Sequence, residues 1–581
     1  MECRRQLDAA CSSAVGQPLI CTAAVFLLLV ACCALPGTAQ PILTDENLLT
    51  QVEQLSAEER WQEIVRLAET APTWSAELDY YYGIALARLG RWDEARSAFQ
   101  AGSRARPGDK RFPLELAGIA FKQKHYTEAV ANLRRALSLD PTDSYGNDFL
   151  ASVYFLEGNL EAALKYWNRI GKPQIEELRT EPKPRVDAVL LDRAFAFSPA
   201  STLRLQDLLT SKVRIRGLEI FPSYRIDLAA RHDGKFDAVF RSQERNGWGA
   251  STLQGLIGLF RGLPYQTINP EFFNIGGSGV NVVSLVRWDS EKRRVLASVS
   301  GPLHRDPKRR YRVSADLRNE NWDIRNSFSG SAPLLAALNL RREAAAAEIT
   351  SFSTGRWNWS TGGEFSHRDF RSVLPGVALT PELVLNGYQL NHTAQFNYEL
   401  WRIPERRFTI ESGTSSQIGR IWSQPAHAFA KLQGSLLSHW YPLARGDDYE
   451  TRWQLRAGRT FGDLPFDELF MFGMERDNDL WLRAHIGTRN GRKGSAPLGR
   501  NYFLSNWEMD KNAYDNGLFN LRLGPFLDTG KITPSASLGS KKWLWDVGVQ
   551  ANLRVLGVSV GVSYGKDLRS GNNAFYTTVG R

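Results

Sequence analysis

The sequence predicts a two-part fold, an N-terminal α-solenoid followed by a C-terminal transmembrane antiparallel β-barrel of about sixteen strands. Three observations carry this. An apolar run near the start is followed by small residues, a helical pattern repeats every 34 residues up to about Lys172, and a period of two then holds to Arg581. At 581 residues the chain is too long for one ordinary core. Its 43% hydrophobic and 11% aromatic content is that of an ordered protein, not of a disordered tail.

Arg4 and Arg5 precede Leu19 to Leu35, "LICTAAVFLLLVACCAL", and Pro36-Gly37-Thr38-Ala39 ends the run on small residues. Residues 1–39 therefore read as a secretory signal cut after Ala39. A second reading competes: "LVAC", Leu29 to Cys32, resembles a lipoprotein box that would leave Cys32 as an acylated first residue. All five cysteines (Cys3, Cys11, Cys21, Cys32 and Cys33) lie in or before this run. A chain cut after Ala39 has no thiol, which excludes disulfides, thiolate metal sites and cysteine nucleophiles.

Over residues 44–172 the helical period repeats. Ala95, Ala129 and Ala163 are 34 apart, as are Trp92, Tyr126 and Leu160, and Phe99, Leu133 and Trp167. Pro107 and Pro141 close two units with the same spacing, and Gly83 keeps an early glycine that Ala117 and Ala151 replace. These residues resemble the tetratricopeptide repeat, in which a small residue lets two helices cross closely and aromatic side chains fill the step to the next pair. A weaker helix pair around Trp61 looks like an N-terminal cap. All these positions are packing residues, and such a short solenoid implies docking of a protein partner.

Residues 173–187 hold three prolines and mixed charge and read as a linker. Residues 188–242 read as a small α/β segment or the approach to the barrel. They contain a helix-like "STLRLQDLLTSK" and two alternating runs joined through Asp233-Gly234, a hairpin signal.

Residues 243–581 read as the barrel. Runs such as "VNVVSLVRW", "YQLNHTAQFNYELW" and "WLWDVGVQANLRVLGVSVGVSYG" alternate apolar with charged or small residues, and Trp and Tyr sit near many of their ends. A soluble β-sandwich would alternate too. The length of the region, the aromatic ends and the secretion signal favour a barrel, which must close because an open edge is not tolerated in lipid.

The segment "LWLRAHIGTRNGRKG", Leu480 to Gly494, carries Arg483, Arg489, Arg492 and Lys493 and no acid. It lies within "LPFDELFMFGMERDNDLWLRAHIGTRNGRKGSAPLGRNYFLSNWEMD", which is followed by "GLFNLRLGPFLDTGKI". This quarter resembles the bacterial surface antigen family, the BamA/TamA type of outer-membrane assembly and translocation barrels. In that family a late loop folds into the lumen with an Arg-Gly tip, and acidic residues on the next strands receive the arginine. The resemblance implies a lid tip at Leu482-Arg483-Ala484-His485 and a lock of Arg483 on Asp528 and Glu508. It makes Phe526, Asp528 and Gly530 the family's Phe-x-Asp-x-Gly strand, with Phe526 near a strand end. Arg489, Arg492 and Lys493 are expected to line water or contact lipid phosphate. Ala484 stands where the family has glycine, which questions the tight turn, and "RSQERNGWGAST", Arg241 to Thr252, resembles the stretch that introduces the first strand. A purely structural lumen salt bridge is the competing reading of Arg483, Asp528 and Glu508.

No catalytic or cofactor chemistry emerges. "GGSGVN" opens a strand and is a turn, the eight histidines never pair at metal spacing, and no Gly-x-Ser-x-Gly elbow occurs. Neither an enzyme nor a bound cofactor or metal is expected. The formal charge of +10 invites an anionic neighbour, yet no nucleic-acid-binding motif accompanies it. The expected partners are outer-membrane lipid and, through the repeats, a periplasmic client or partner protein. The expected function is client insertion or export across a bacterial outer membrane, with the repeats in the periplasm. Two rivals share the architecture: a surface-lipoprotein exporter and a passive exopolysaccharide pore.

Overall fold

The computed structural model describes residues 45–71, 74–325, 333–374, 379–516, 519–534, 538–555 and 558–580, so the expected signal segment lies outside the described residues. The chain forms two compact units, one of residues 1–174 with 230–236, the other of residues 175–229 and 237–581.

Among the described residues of the first unit eight helices run in sequence: α1 (Asp45–Ala57), α2 (Trp61–Glu69), α3 (Ala76–Arg88), α4 (Trp92–Ala105), α5 (Arg111–Lys122), α6 (Tyr126–Leu139), α7 (Ser144–Leu156) and α8 (Leu160–Trp167). Ala95, Ala129, Ala163 and Phe99 are fully buried and Trp167 nearly so, as crossing and step positions require. Trp92 and Tyr126 are half-buried, and Pro107 and Pro141 are exposed just beyond α4 and α6. Gly83 is kept because a Cβ there would lie 2.6 Å from the Phe99 ring. Between paired helices the backbone turns left-handed at Gly90, Lys124 and Gly158 (φ +80°, +62° and +81°), again at the repeat spacing. Ser75, Asp143 and Asn159 cap α3, α7 and α8 by accepting from backbone N–H groups of their first turns.

The second unit opens with β1 (Gln174–Glu181), α9 (Ala188–Ala194), β2 (Ser201–Thr202), α10 (Leu205–Gly217), β3 (Ser223–Ala230) and β4 (Phe236–Gln243). The four strands form one sheet in the order β2-β1-β4-β3. The expected linker 173–187 therefore holds a strand, and the α/β domain starts before residue 188. β1 is an interior strand of this sheet, and although most of its residues are charged and partly exposed, Ile175 is fully buried, as is Phe240 on the neighbouring β4. Arg214 of α10 donates to the carbonyls of Phe352 and Ser353 (3.4 and 3.0 Å), and Asn281 to that of Leu218 (3.0 Å). These bonds seat the domain on the adjoining barrel ends.

Next come α11 (Thr252–Phe260) and the barrel. The short pieces β5 (Thr267–Ile268) and β6 (Glu271–Phe272) precede long strands β7 (Asn281–Trp288), β8 (Lys292–Leu303), β9 (Asp306–Arg325), β10 (Leu334–Ser351), β11 (Trp357–Leu374), β12 (Gly387–Ile403), β13 (Phe408–Trp422), β14 (His427–Trp440) and β15 (Tyr449–Gly462). A long loop with β16 (Phe470–Met471), β17 (Thr488–Arg489), β18 (Arg492–Lys493) and β19 (Leu498–Gly499) intervenes. Strands β20 (Asn501–Asp515), β21 (Phe519–Thr533), β22 (Leu544–Val555), β23 (Val558–Asp567) and β24 (Asn573–Gly580) finish the wall. The order is that of a closed barrel, with β24 placed beside β5. Outward positions expose Leu390, Ile418, Leu432 and Val549, and Trp422, Trp440 and Trp545 stand exposed at strand ends, as a lipid-facing wall with aromatic borders requires.

One expectation fails here. The stretch Arg241–Thr252 leads into helix α11, not into a first strand. The consequence follows from direction. From β5 through β7 to β15, and on from β20 to β24, every long neighbour pair is antiparallel. Counting round, β24 and β5 run the same way. The seam is thus the place where the alternation breaks, and β5 offers only two residues there.

Candidate functional site: an ion-locked lid

The loop between β15 and β20 spans residues 463–500. Its partners come from β8 to β11, β14 and β20 to β23, on all sides of the wall, so it lies inside the barrel. A polar loop in that space must find charge partners, and it finds them in three clusters.

At the tip, Arg483 donates through Nε and Nη2 to both oxygens of Asp528 (2.9 and 2.7 Å), and its backbone N–H adds a third bond (3.0 Å). Nη1 reaches Glu508 (2.8 Å) and Gln550 (2.7 Å). The guanidinium carbon lies 4.0 Å from the centre of the Phe526 ring. A planar fork matched to a carboxylate and stacked on an aromatic face is arginine chemistry that lysine cannot reproduce. Period two puts Phe526, Asp528 and Gly530 on one inner face of β21. Phe526 stacks, Asp528 chelates, and Gly530 makes room, since a Cβ there would lie 2.7 Å from the Phe472 ring. Phe526 lies mid-strand and 2% exposed, not near a strand end as expected, because its task is to floor the arginine.

The remaining tip residues are also placed. Leu482 is fully buried in an apolar cluster with Leu480, Phe472 and Tyr502. Ala484 is not among the residues with left-handed backbone, so this turn has no need of the glycine whose loss was in question. Its N–H donates to Asp546 (2.7 Å). His485, fully buried, sets Nδ1 3.0 Å from the same Asp546 oxygen and Nε2 3.9 Å from Asp567. Close approach is enforced from the wall too: a Cβ on Gly565 would lie 2.8 Å from the Arg483 carbonyl.

A second cluster holds the loop's ascending limb. Asp467 pairs with the fully buried Arg368 (3.0 Å) and with Arg342 (3.5 Å), while Glu468 takes Lys431 (3.2 Å) and the same two arginines (3.4 Å each). In the third cluster Asp477 meets Lys493 (3.2 Å), Arg287 (3.4 Å) and Arg294. Lys493 also binds both oxygens of Glu320 on β9 (2.8 and 2.9 Å). Lys493 is 3% exposed, which corrects the expectation that it lines water or meets lipid phosphate. Arg492 is committed as well, to Glu291 (2.8 Å) and Asp323 (3.3 Å). From this third cluster the lid also reaches the seam. The Arg476 guanidinium sits 3.3 Å from the Tyr265 ring centre, and the Tyr265 hydroxyl donates to the Thr577 carbonyl of β24 (3.3 Å).

No family model matches the sequence, and no curated protein matches it. Solved structures do match. The chain is similar to BamA and CdiB. BamA from Haemophilus ducreyi lacking POTRA domains 1–3 shares 13% identity over 70% of this chain and 84% of its own, with a TM-score of 0.39. CdiB from Escherichia coli shares 13% over 70% and 76%, with a TM-score of 0.45. MamA shares 17% over 21% of this chain and 74% of its own, with a TM-score of 0.20.

Sequence reasoning brought Arg483, Asp528 and Glu508 together and missed Asp546, Asp567, Gln550 and the two outer clusters. The signal for the latter was present: Asp467, Glu468 and Asp477 are acids inside the same quoted stretch, opposite a basic inner wall. Among the described residues, His485, Asp546 and Asp567 also bring potential metal donors within 4.8 Å of one another. Asp546 Oδ2 receives the Ala484 N–H and faces the imidazole, which joins this trio to the tip cluster.

Proposed function

We propose that this chain is an outer-membrane barrel that helps insert or export client proteins, with its repeats docking a client or partner. One observation carries the reading: an ion-paired loop folds against the inner wall and touches, through Arg476 and Tyr265, the seam where β5 offers only two residues. A two-residue strand beside β24 is a poor ladder, and a lid bonded to that seam can bias whether it parts. The repeats and the α/β domain serve as a docking arm. An exopolysaccharide pore needs an open lumen, which the lid clusters disfavour. A surface-lipoprotein exporter differs only in the client.

The test is replacement of the chain in its own bacterium by wild type or Arg483→Ala, followed by quantitative envelope proteomics. A defined set of outer-membrane or surface proteins should be lost with the variant, and their identity separates general assembly from lipoprotein export. Unchanged envelope proteins together with raised bilayer conductance of the purified variant would replace this reading with the pore.

A further inference from the structure

Helix α11 takes no part in the lid clusters or the docking arm described above. Asn246 to Phe260 contains no charged residue, in a protein of which 23% is charged. The helix runs back along the first strand pieces. Asn269 N–H donates to the Leu259 carbonyl (2.9 Å), Thr267 N–H to that of Gly262 (3.1 Å), and Gly247 and Phe273 exchange both backbone bonds (2.9 and 2.7 Å). Arg261, just past its end, grips Glu271 with two hydrogen bonds (3.0 and 2.8 Å). Gly255 and Gly258 form its buried side, and a Cβ on Gly255 would lie 2.8 Å from Trp248 Cβ.

The opposite side is bare. Leu253, Leu256 and Phe260, at the spacing of one helix face, are 60, 51 and 48% exposed, and Trp248, Leu263 and Phe272 extend the patch. Strand alternation shows which side of the wall this is. Glu271 turns its buried carboxylate inward to Arg261, so Phe272 points outward, and the Trp248 ring meets the Phe272 ring at 5.9 Å. The apolar face of α11 is therefore continuous with the outer surface, at the position where one more strand would restore antiparallel pairing between β24 and β5.

We propose that α11 is a helical panel of the barrel wall whose Leu253-Leu256-Phe260 face is covered by the acyl chains of the bilayer. The proposal rests on the membrane reading above. A helix satisfies its backbone internally, so it can face lipid where a lone strand edge cannot. The absence of charge over fifteen residues fits acyl chains and not headgroups.

The experiment uses the full chain with its five native cysteines changed to serine and one new cysteine at a time through residues 252–260, spin-labelled in phosphatidylethanolamine/phosphatidylglycerol liposomes. Val549→Cys on β22 is the control for the outer wall, and heat-modifiable gel mobility confirms folding of each variant. Oxygen-to-nickel-chelate collision ratios at 253, 256 and 260 should match that at 549 and fall between them, with a period of three to four. Nickel access at 256 with lipid access at 549 would overturn the proposal alone, whereas nickel access at 549 would overturn the membrane reading itself. A label at 256 shielded from both reagents, as a protein partner would produce, also overturns it, as does a period of two, which would make the segment a strand.

Discussion

Truncating Arg483 would leave the fully buried Asp528 without its cation, and stranding one member of a buried ion pair costs about 3–5 kcal/mol. Arg483→Ala should therefore lower the urea midpoint of barrel unfolding, read by heat-modifiable mobility. Arg483→Lys should recover little of the loss, because an ammonium cannot bind both Asp528 oxygens and stack on Phe526. An equal midpoint for lysine and arginine would show that charge alone matters. In the repeats, Lys124 occupies a left-handed turn position that is glycine at 90 and 158. Lys124→Gly removes that Cβ conflict and should stabilise the helical unit by about 0.5–1 kcal/mol, measurable as a shift in its far-ultraviolet melting midpoint. Arg483 and Asp528, 45 residues apart, were paired through the family resemblance of the two stretches that carry them. Asp546 was not, since only folding brings it to the Ala484 N–H.

At the scale of elements, the lid is held at three places along one loop, so its anchors act on a common body. The double variant Asp477→Asn with Arg483→Ala should cost less than the two single changes together, because a lid freed at one anchor has less to lose at the next. Strict additivity in the same urea titration would mean that the clusters act separately. Between helices α3 and α5 the Arg111 guanidinium binds Glu77 (2.7 and 2.9 Å) and Asp109 (2.8 Å) and holds both carboxyls below the usual range. A carboxyl depressed by folding contributes stability above its unfolded pKa and loses it as the pH falls through the folded value. Burial pushes Asp79 and Glu115 the other way, so the Arg111 contribution is isolated by difference. The gap in helix melting between wild type and Arg111→Met should be widest near neutral pH and close below about pH 4. A gap independent of pH would assign the effect to packing of Arg111 on the Tyr80 ring, 4.5 Å away.

Over the whole molecule, the solenoid is built by stacking of successive helix pairs, with Phe236 packed on Phe155 and Trp167 at its C-terminal end, whereas the barrel closes all its edges at once. Urea should accordingly melt the 222 nm helix signal before the barrel loses its heat-modifiable mobility, and coincident transitions would contradict this. The sequence by itself determined the two periods, and with them the solenoid and the barrel, because a repeat of 34 and an alternation of two are written in local order. The tip pairing of Arg483 with Asp528 and Glu508 was an expectation from the family resemblance, and the structure brings the three together. The sequence did not show that 174–181 is an interior strand of the α/β sheet, that α11 stands where a first strand was expected, or that Lys493 is buried. Those depend on which polar group meets which across the barrel, and on how many strands close it. Tertiary structure decided them because a charge is buried or solvated, and a glycine-rich apolar segment helical or extended, according to neighbours that lie far away in the chain.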